Sequence, residues 1–105
     1  MSISVSVRLV FPWDHRETSV ECPEGAKLGQ ILEEFLERKR KDLERDCPDG
    51  MKRFVQSLLD GDFAGFLKSS MVLLNQERVA VSEGGLDKEV SGGSEILVIP
   101  PIISG

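Results

Sequence analysis

Leu28-Gly29-Gln30-Ile31-Leu32-Glu33-Glu34-Phe35-Leu36-Glu37-Arg38-Lys39-Arg40-Lys41-Asp42-Leu43-Glu44-Arg45 is the stretch in which the apolar positions change their period. Leu28, Ile31, Leu32, Phe35, Leu36 and Leu43 fall at helical spacings, with charged residues on the remaining sides. The spacing predicts a helix from about Lys27 to Arg45 that presents one apolar stripe to a sheet. Glu34→Arg38 and Glu37→Lys41 are attractive i,i+4 pairs, whereas Glu33→Glu37 is repulsive. The basic run Arg38–Lys41 is followed at once by Asp42, Glu44 and Asp46, so it reads as a mixed, solvated helix surface.

Upstream of this helix the period is two. Ile3, Val5, Val7, Leu9 and Phe11 share one face of a strand, and Ser4, Ser6, Arg8 and Val10 share the other. Pro12 stops the ladder because it has no N–H to donate. Trp13-Asp14-His15-Arg16 links to a second β-favouring run, Glu17 to Cys22, and the two runs read as a hairpin ended by Pro23 and Gly25.

Downstream, Asp46-Cys47-Pro48-Asp49-Gly50 carries helix-start chemistry, with Asp46 or Cys47 as cap and Pro48 near the first turn. Met51, Phe54, Val55, Leu58 and Leu59 follow helical spacing and predict a second, shorter helix. Asp60-Gly61-Asp62 interrupts it, and Phe63–Leu67 is an apolar loop or a single helical turn. Met71–Leu74 reads as a short buried strand, Asn75–Arg78 as a turn and Val79–Val81 as a second short strand. Ser82 to Gly93, punctuated by two glycine pairs, is mostly loop, and Glu95 to Ile99 is the last strand.

The chain has 105 residues, 40% apolar and 30% charged, close to globular averages and sufficient for one domain with its own core. A net charge of -5 argues against nucleic acid as a partner, because phosphate contacts need clustered Lys and Arg. No apolar run is long enough to cross a bilayer, and the start lacks the charge and apolar run of a signal peptide, which points to the cytoplasm and away from membranes. Cys22 and Cys47 lack the spacing of a zinc site or a redox motif, so no metal is expected. Two reduced structural thiols are the preferred reading and a disulfide the alternative.

Strands surrounding one long helix imply an α+β domain, with the helix on one face of a mixed sheet and the first and last strands paired at its centre. That order, with Leu73-Leu74-Asn75-Gln76 before a short strand and Gly92-Gly93-Ser94-Glu95 leading into Ile96-Leu97-Val98-Ile99-Pro100-Pro101, resembles the ubiquitin-like β-grasp fold. Within that fold the ending is similar to the MoaD-like proteins, the small sulfur-carrying subunits of molybdopterin synthase. Their last strand runs into Pro-Pro, one or two apolar residues and Gly-Gly. The resemblance covers about residues 3–45 and 70–105. It has no counterpart for 46–68, where an additional short helix is expected, and Ser104 stands where the family has its penultimate glycine.

The resemblance implies one β-grasp domain over 1–105 with a flexible C-terminal tail from about residue 100. It also implies a carrier that is not an enzyme by itself and binds no cofactor. An activating enzyme of the ubiquitin-activating type would use ATP to adenylylate the carboxylate of Gly105, and a persulfide would convert the adenylate to a thiocarboxylate. A larger catalytic synthase subunit would take the sulfur for molybdopterin or the tungsten cofactor. Thiazole, cysteine or tRNA thiolation are alternative destinations, and an interaction module with an inert tail is the alternative class. Gly105 suits the role because it has no Cβ to block its carbonyl. Pro100 and Pro101 stiffen the exit, which lowers the ordering cost in a partner's channel. Ile102 and Ile103 would line that channel, and Ser104 would need a wider or more polar lip.

Other residues carry weaker signals. His15 beside Asp14 has no nucleophile or cleft and reads as a turn residue. Cys47, near an expected helix start, is the better candidate for thiol reactivity, although a structural role is the preferred reading for both cysteines. Gly84-Gly85 and Gly92-Gly93 lack the strand-then-helix setting of a phosphate loop and read as turns. The apolar surplus Phe54, Leu58, Leu59, Phe63, Phe66 and Leu67 either covers the open end of the sheet or extends a partner face.

Overall fold

A computed structural model of the protein describes residues 2–11, 17–47 and 49–100, with Met51 and Phe54 described by their backbone alone. The alternating first segment forms strand β1 (Ser2–Leu9), antiparallel to β2 (Glu17–Pro23). Val5, Val7 and Leu9 point to the core with Phe11 beyond them, as the alternation predicts. The residues linking the two strands, 12–16, lie outside the described residues.

Helix α1 (Leu28–Asp46) buries the six apolar residues that define its stripe, Leu28, Ile31, Leu32, Phe35, Leu36 and Leu43. Gln30 reaches back so that its Oε1 accepts the Lys27 N–H at 3.0 Å, satisfying a donor at the helix start. On the solvent side Arg38 pairs with Glu34 at 3.0 Å as expected. Glu37 instead takes Arg40 at 2.6 Å, one residue short of the predicted Lys41. Exposed pairs of this kind contribute at most about 1 kcal/mol each, so the buried stripe decides the helix.

The 46–68 region departs from expectation in detail. Cys47 closes α1, its N–H donating to the Leu43 carbonyl at 3.1 Å. A 3-10 helix over Asp49–Val55 leads into the four-residue α2 (Gln56–Leu59). Beyond Gly61 lies α3 (Phe63–Ser69), a helix where a loop or single turn was the expectation. Asp62 explains it: the carboxylate accepts the Gly65 N–H at 3.0 Å and starts the helix. Val55, Leu58, Phe66 and Leu67 enter the core, and Leu59 and Phe63 pack against it.

Strand β3 (Met71–Leu74) turns through Asn75-Gln76 into β4 (Glu77–Arg78). The second strand therefore comes two residues earlier than Val79–Val81. Asn75 and Gln76 both take positive φ, 51° and 73°, the geometry that lets a two-residue turn match the twist of its strands. Val79 follows as a core residue, 4% exposed. Two 3-10 turns, Val81–Glu83 and Gly85–Asp87, occupy what the sequence suggests is loop. The second packs on α1, where Leu28 N–H donates to the Lys88 carbonyl at 2.8 Å.

Strand β5 (Glu95–Ile99) completes a five-stranded sheet of order β2-β1-β5-β3-β4. It runs parallel to β1 and antiparallel to β3, so the first and last strands meet at the centre. This is an α+β fold of the β-grasp type, with α1 covering one face of a mixed sheet. Among the described residues no helix is long and apolar enough to cross a membrane.

Candidate functional site

The site suggested by the sequence begins where β5 ends, and two sets of contacts fix that strand. At its start, Gly93 adopts φ +81° and donates its N–H to the Ser4 carbonyl at 2.8 Å. Ser94, the one buried polar residue among the described residues, offers its carbonyl to the Ser6 N–H at 2.9 Å. Asn75 clamps the same corner. Its N–H donates to the Glu95 carbonyl at 2.8 Å and its Oδ1 accepts the Glu95 N–H at 2.9 Å. The Leu-Asn-Gln signature thus ties the β3–β4 turn to β5.

At the other end, Val10 N–H donates to the Val98 carbonyl at 3.0 Å, and Ile99 pairs with Met71. Pro100 follows and is buried. The chain therefore leaves the middle of the sheet with a strand on either side. Pro101, Ile102, Ile103, Ser104 and Gly105 lie outside the described residues, as do Asp14 and His15.

Beside this exit lies a sheet face that no helix covers. Registers align Arg8 with Glu17 and Leu97, Leu97 with Leu73, and Leu73 with Arg78, one row across all five strands. The row nearest the exit holds Val10, Ile99 and Met71, and with Leu73 and Leu97 these five apolar residues are only partly buried. A shallow groove of about 280 Å³ is lined by Leu73 and Leu97 together with Ser6, Gln76 and Glu95. Arg8 and Glu17, each about half exposed, form a loose ion pair at 3.6 Å at its side. Sequence reasoning missed this face because strands with apolar residues on both sides read as core. The signal was present nonetheless, since a single long helix can cover only one side of a sheet.

The cysteines offer no competing site. Neither is in a disulfide, and both are buried, with Cys22 and Cys47 5% and 7% exposed. Burial pushes the Cys22 thiol up, and Glu34 adds to the rise. Burial likewise pushes Cys47 up, with Lys52 opposing and Asp49 reinforcing. This fits the preferred structural reading of both cysteines and weakens the case for Cys47 as a reactive thiol, since it sits at the C-terminal end of α1, where the dipole disfavours a thiolate. Among the described residues no His, Cys, Asp and Glu side chains cluster as metal ligands would.

A scan against models of known protein families finds no match, and a search of curated proteins finds none.

Proposed function

We propose that the protein is a sulfur carrier whose working group is the carboxylate of Gly105, of the kind that serves molybdopterin or tungsten cofactor synthesis. The observation that supports this reading is the central β5, held by β1 and β3, which ends at Ile99 directly before Pro100, after which the sequence reads Pro101-Ile102-Ile103-Ser104-Gly105. A tail issuing from mid-sheet has a rigid base, so little orientational freedom is lost when a partner's channel takes it.

The chemistry requires little of the carrier. Its terminal carboxylate attacks the α-phosphorus of ATP on an activating enzyme, pyrophosphate leaves, and an acyl-adenylate forms. The outer sulfur of a persulfide attacks the acyl carbon and AMP leaves. A thiol then cleaves the acyl disulfide, taking the other sulfur and releasing the thiocarboxylate. The persulfide attack needs an unshielded acyl carbon, which glycine provides. The carrier supplies no acid or base for these steps, so its partners provide the catalysis.

A second reading, a non-catalytic interaction module with an inert tail, is favoured by the partly buried apolar face around Leu73 and Leu97. The two readings separate on the tryptic peptide Glu89–Gly105, isolated from the native host. It contains neither Met nor Cys, so exchange of one oxygen for sulfur is not confused with oxidation. The carrier reading expects a thiocarboxylate on this peptide after incubation with ATP, the activating enzyme and a persulfide donor, and none when Gly105 is deleted. A peptide that stays unmodified in the presence of active partner enzymes overturns it in favour of the module.

A further inference from the structure

The row Glu17–Arg8–Leu97–Leu73–Arg78 has a property that neither reading of the tail uses. Its ends carry opposite charge, and its centre is apolar and falls on β5 and β3. Arg78 and Glu95 have no ion-pair partner among the described residues. Arg8 and Glu17 hold each other only loosely, at 3.6 Å. The face thus displays two cations, Arg8 and Arg78, and the carboxylates of Glu17, Glu21 and Glu95, and among the described residues the loose Arg8–Glu17 contact is the one ion pair on it.

We infer that this open sheet face binds a second copy of the same chain, face to face, about a two-fold axis running along β5. Such an axis keeps each row in place and exchanges left for right. It sets β1 over the partner's β3 and β2 over its β4. Glu17 then stands opposite Arg78 of the other copy, twice by symmetry. Leu97 meets Leu97, Ile99 meets Ile99, and Val10 meets Met71.

Arg8 lies over Leu73, its aliphatic stem on apolar surface. Its guanidinium is directed into the groove of about 280 Å³ that Glu95 and Gln76 line. On the axis Glu95 stands opposite Glu95 of the other copy, and the two Arg8 guanidinium groups flank that pair of carboxylates. Two sheets packed this way sit about 10 Å apart with strands aligned to about 30°, a separation that paired Arg and Glu side chains span. The alternative axis, between β5 and β3, places Arg8 against Arg78 and leaves Glu17 opposite no strand, so both Glu17–Arg78 pairs are lost.

The patch is small, so the dimer belongs to the weak, reversible class, with a dissociation constant on the order of micromolar. The interface is built from the sheet face, and it stands or falls independently of the carrier chemistry.

Sedimentation equilibrium of the full chain over a concentration series tests the inference. The wild type is expected to dimerise, and Glu17→Arg or Arg78→Glu alone to weaken the dimer at least about tenfold, because each change sets like charges together at both pairs. Mixing the two variants restores association. In the mixed dimer one pair joins the introduced arginine to the introduced glutamate, and the other pair is native. The double variant restores it likewise. Both positions are exposed, and far-UV circular dichroism verifies that each variant is folded. A chain that stays monomeric throughout, a dimer indifferent to both single changes, or a mixture that fails to recover overturns the proposal and leaves the face to a different protein.

Discussion

Asn75 does two jobs at once. Its φ of 51° is a left-handed conformation that most L residues resist and Asn tolerates, and its side-chain oxygen holds the Glu95 N–H. Replacing it with Ala removes both contributions and is expected to cost about 2 kcal/mol of stability by urea unfolding. Glycine restores the backbone freedom without the hydrogen bond, so Asn75→Gly should fall between wild type and Asn75→Ala. Equal losses for the two variants would show that the turn conformation carries no strain. Gly85 is constrained in the opposite sense. It takes no special φ, but a Cβ there would run into Val79 and the Ala80 carbonyl, so the position demands the absence of a side chain.

At the scale of elements, α3 depends on its cap. Seven residues form too short a helix to persist on propensity, and two of them, Phe66 and Leu67, are core. Asp62→Ala is expected to destabilise the protein by about 1 kcal/mol in thermal unfolding, with Asp62→Asn retaining most of the stability. This helix marks where the sequence became hard to read. A 19-residue helix repeats its apolar period often enough to be identified, and all six stripe residues of α1 are buried. A seven-residue helix carrying Gly65 repeats it barely once, and only the cap reveals it.

The same logic explains β4. Val79 and Val81 look more strand-like than Glu77 and Arg78, but Asn75 and Gln76 fix a two-residue turn and thereby the register. Pro48 marks a helix beginning, and a 3-10 helix does start at Asp49, but Cys47 itself ends α1, so its thiol lies at a helix C-terminus. The open face was legible only through the number of helices available to cover the sheet.

For the whole molecule, the decisive contact joins the first strand to the last. Val7 aligns with Ile96 and Leu9 with Val98, linking residues about as far apart in sequence as the chain allows. Pairing strands this distant in sequence places the protein among folds of higher contact order. Native-state hydrogen exchange is expected to find its slowest amides in β1, β5 and the buried side of α1, opening only on global unfolding. Amides of β4 and of the 49–62 segment should exchange faster by local opening. Slow exchange confined to α1, with β5 opening early, would contradict a sheet built around its final strand.

That central pair also has a mechanical consequence. β1 and β5 lie side by side and parallel, so the start of β1 at Ser2 and the end of β5 at Ile99 are at opposite ends of one axis. A pull on the C-terminal end is directed along β5, across the hydrogen bonds that join it to β1 and β3. Those bonds are loaded together in shear, whereas a hairpin pulled open at its end gives way one bond at a time. An enzyme that drew the tail into its channel would hold the domain as a rope holds a cleat, and the fold would survive forces that unzip an edge strand. Survival under load is a matter of unfolding rate rather than equilibrium stability, and it follows from strand direction alone.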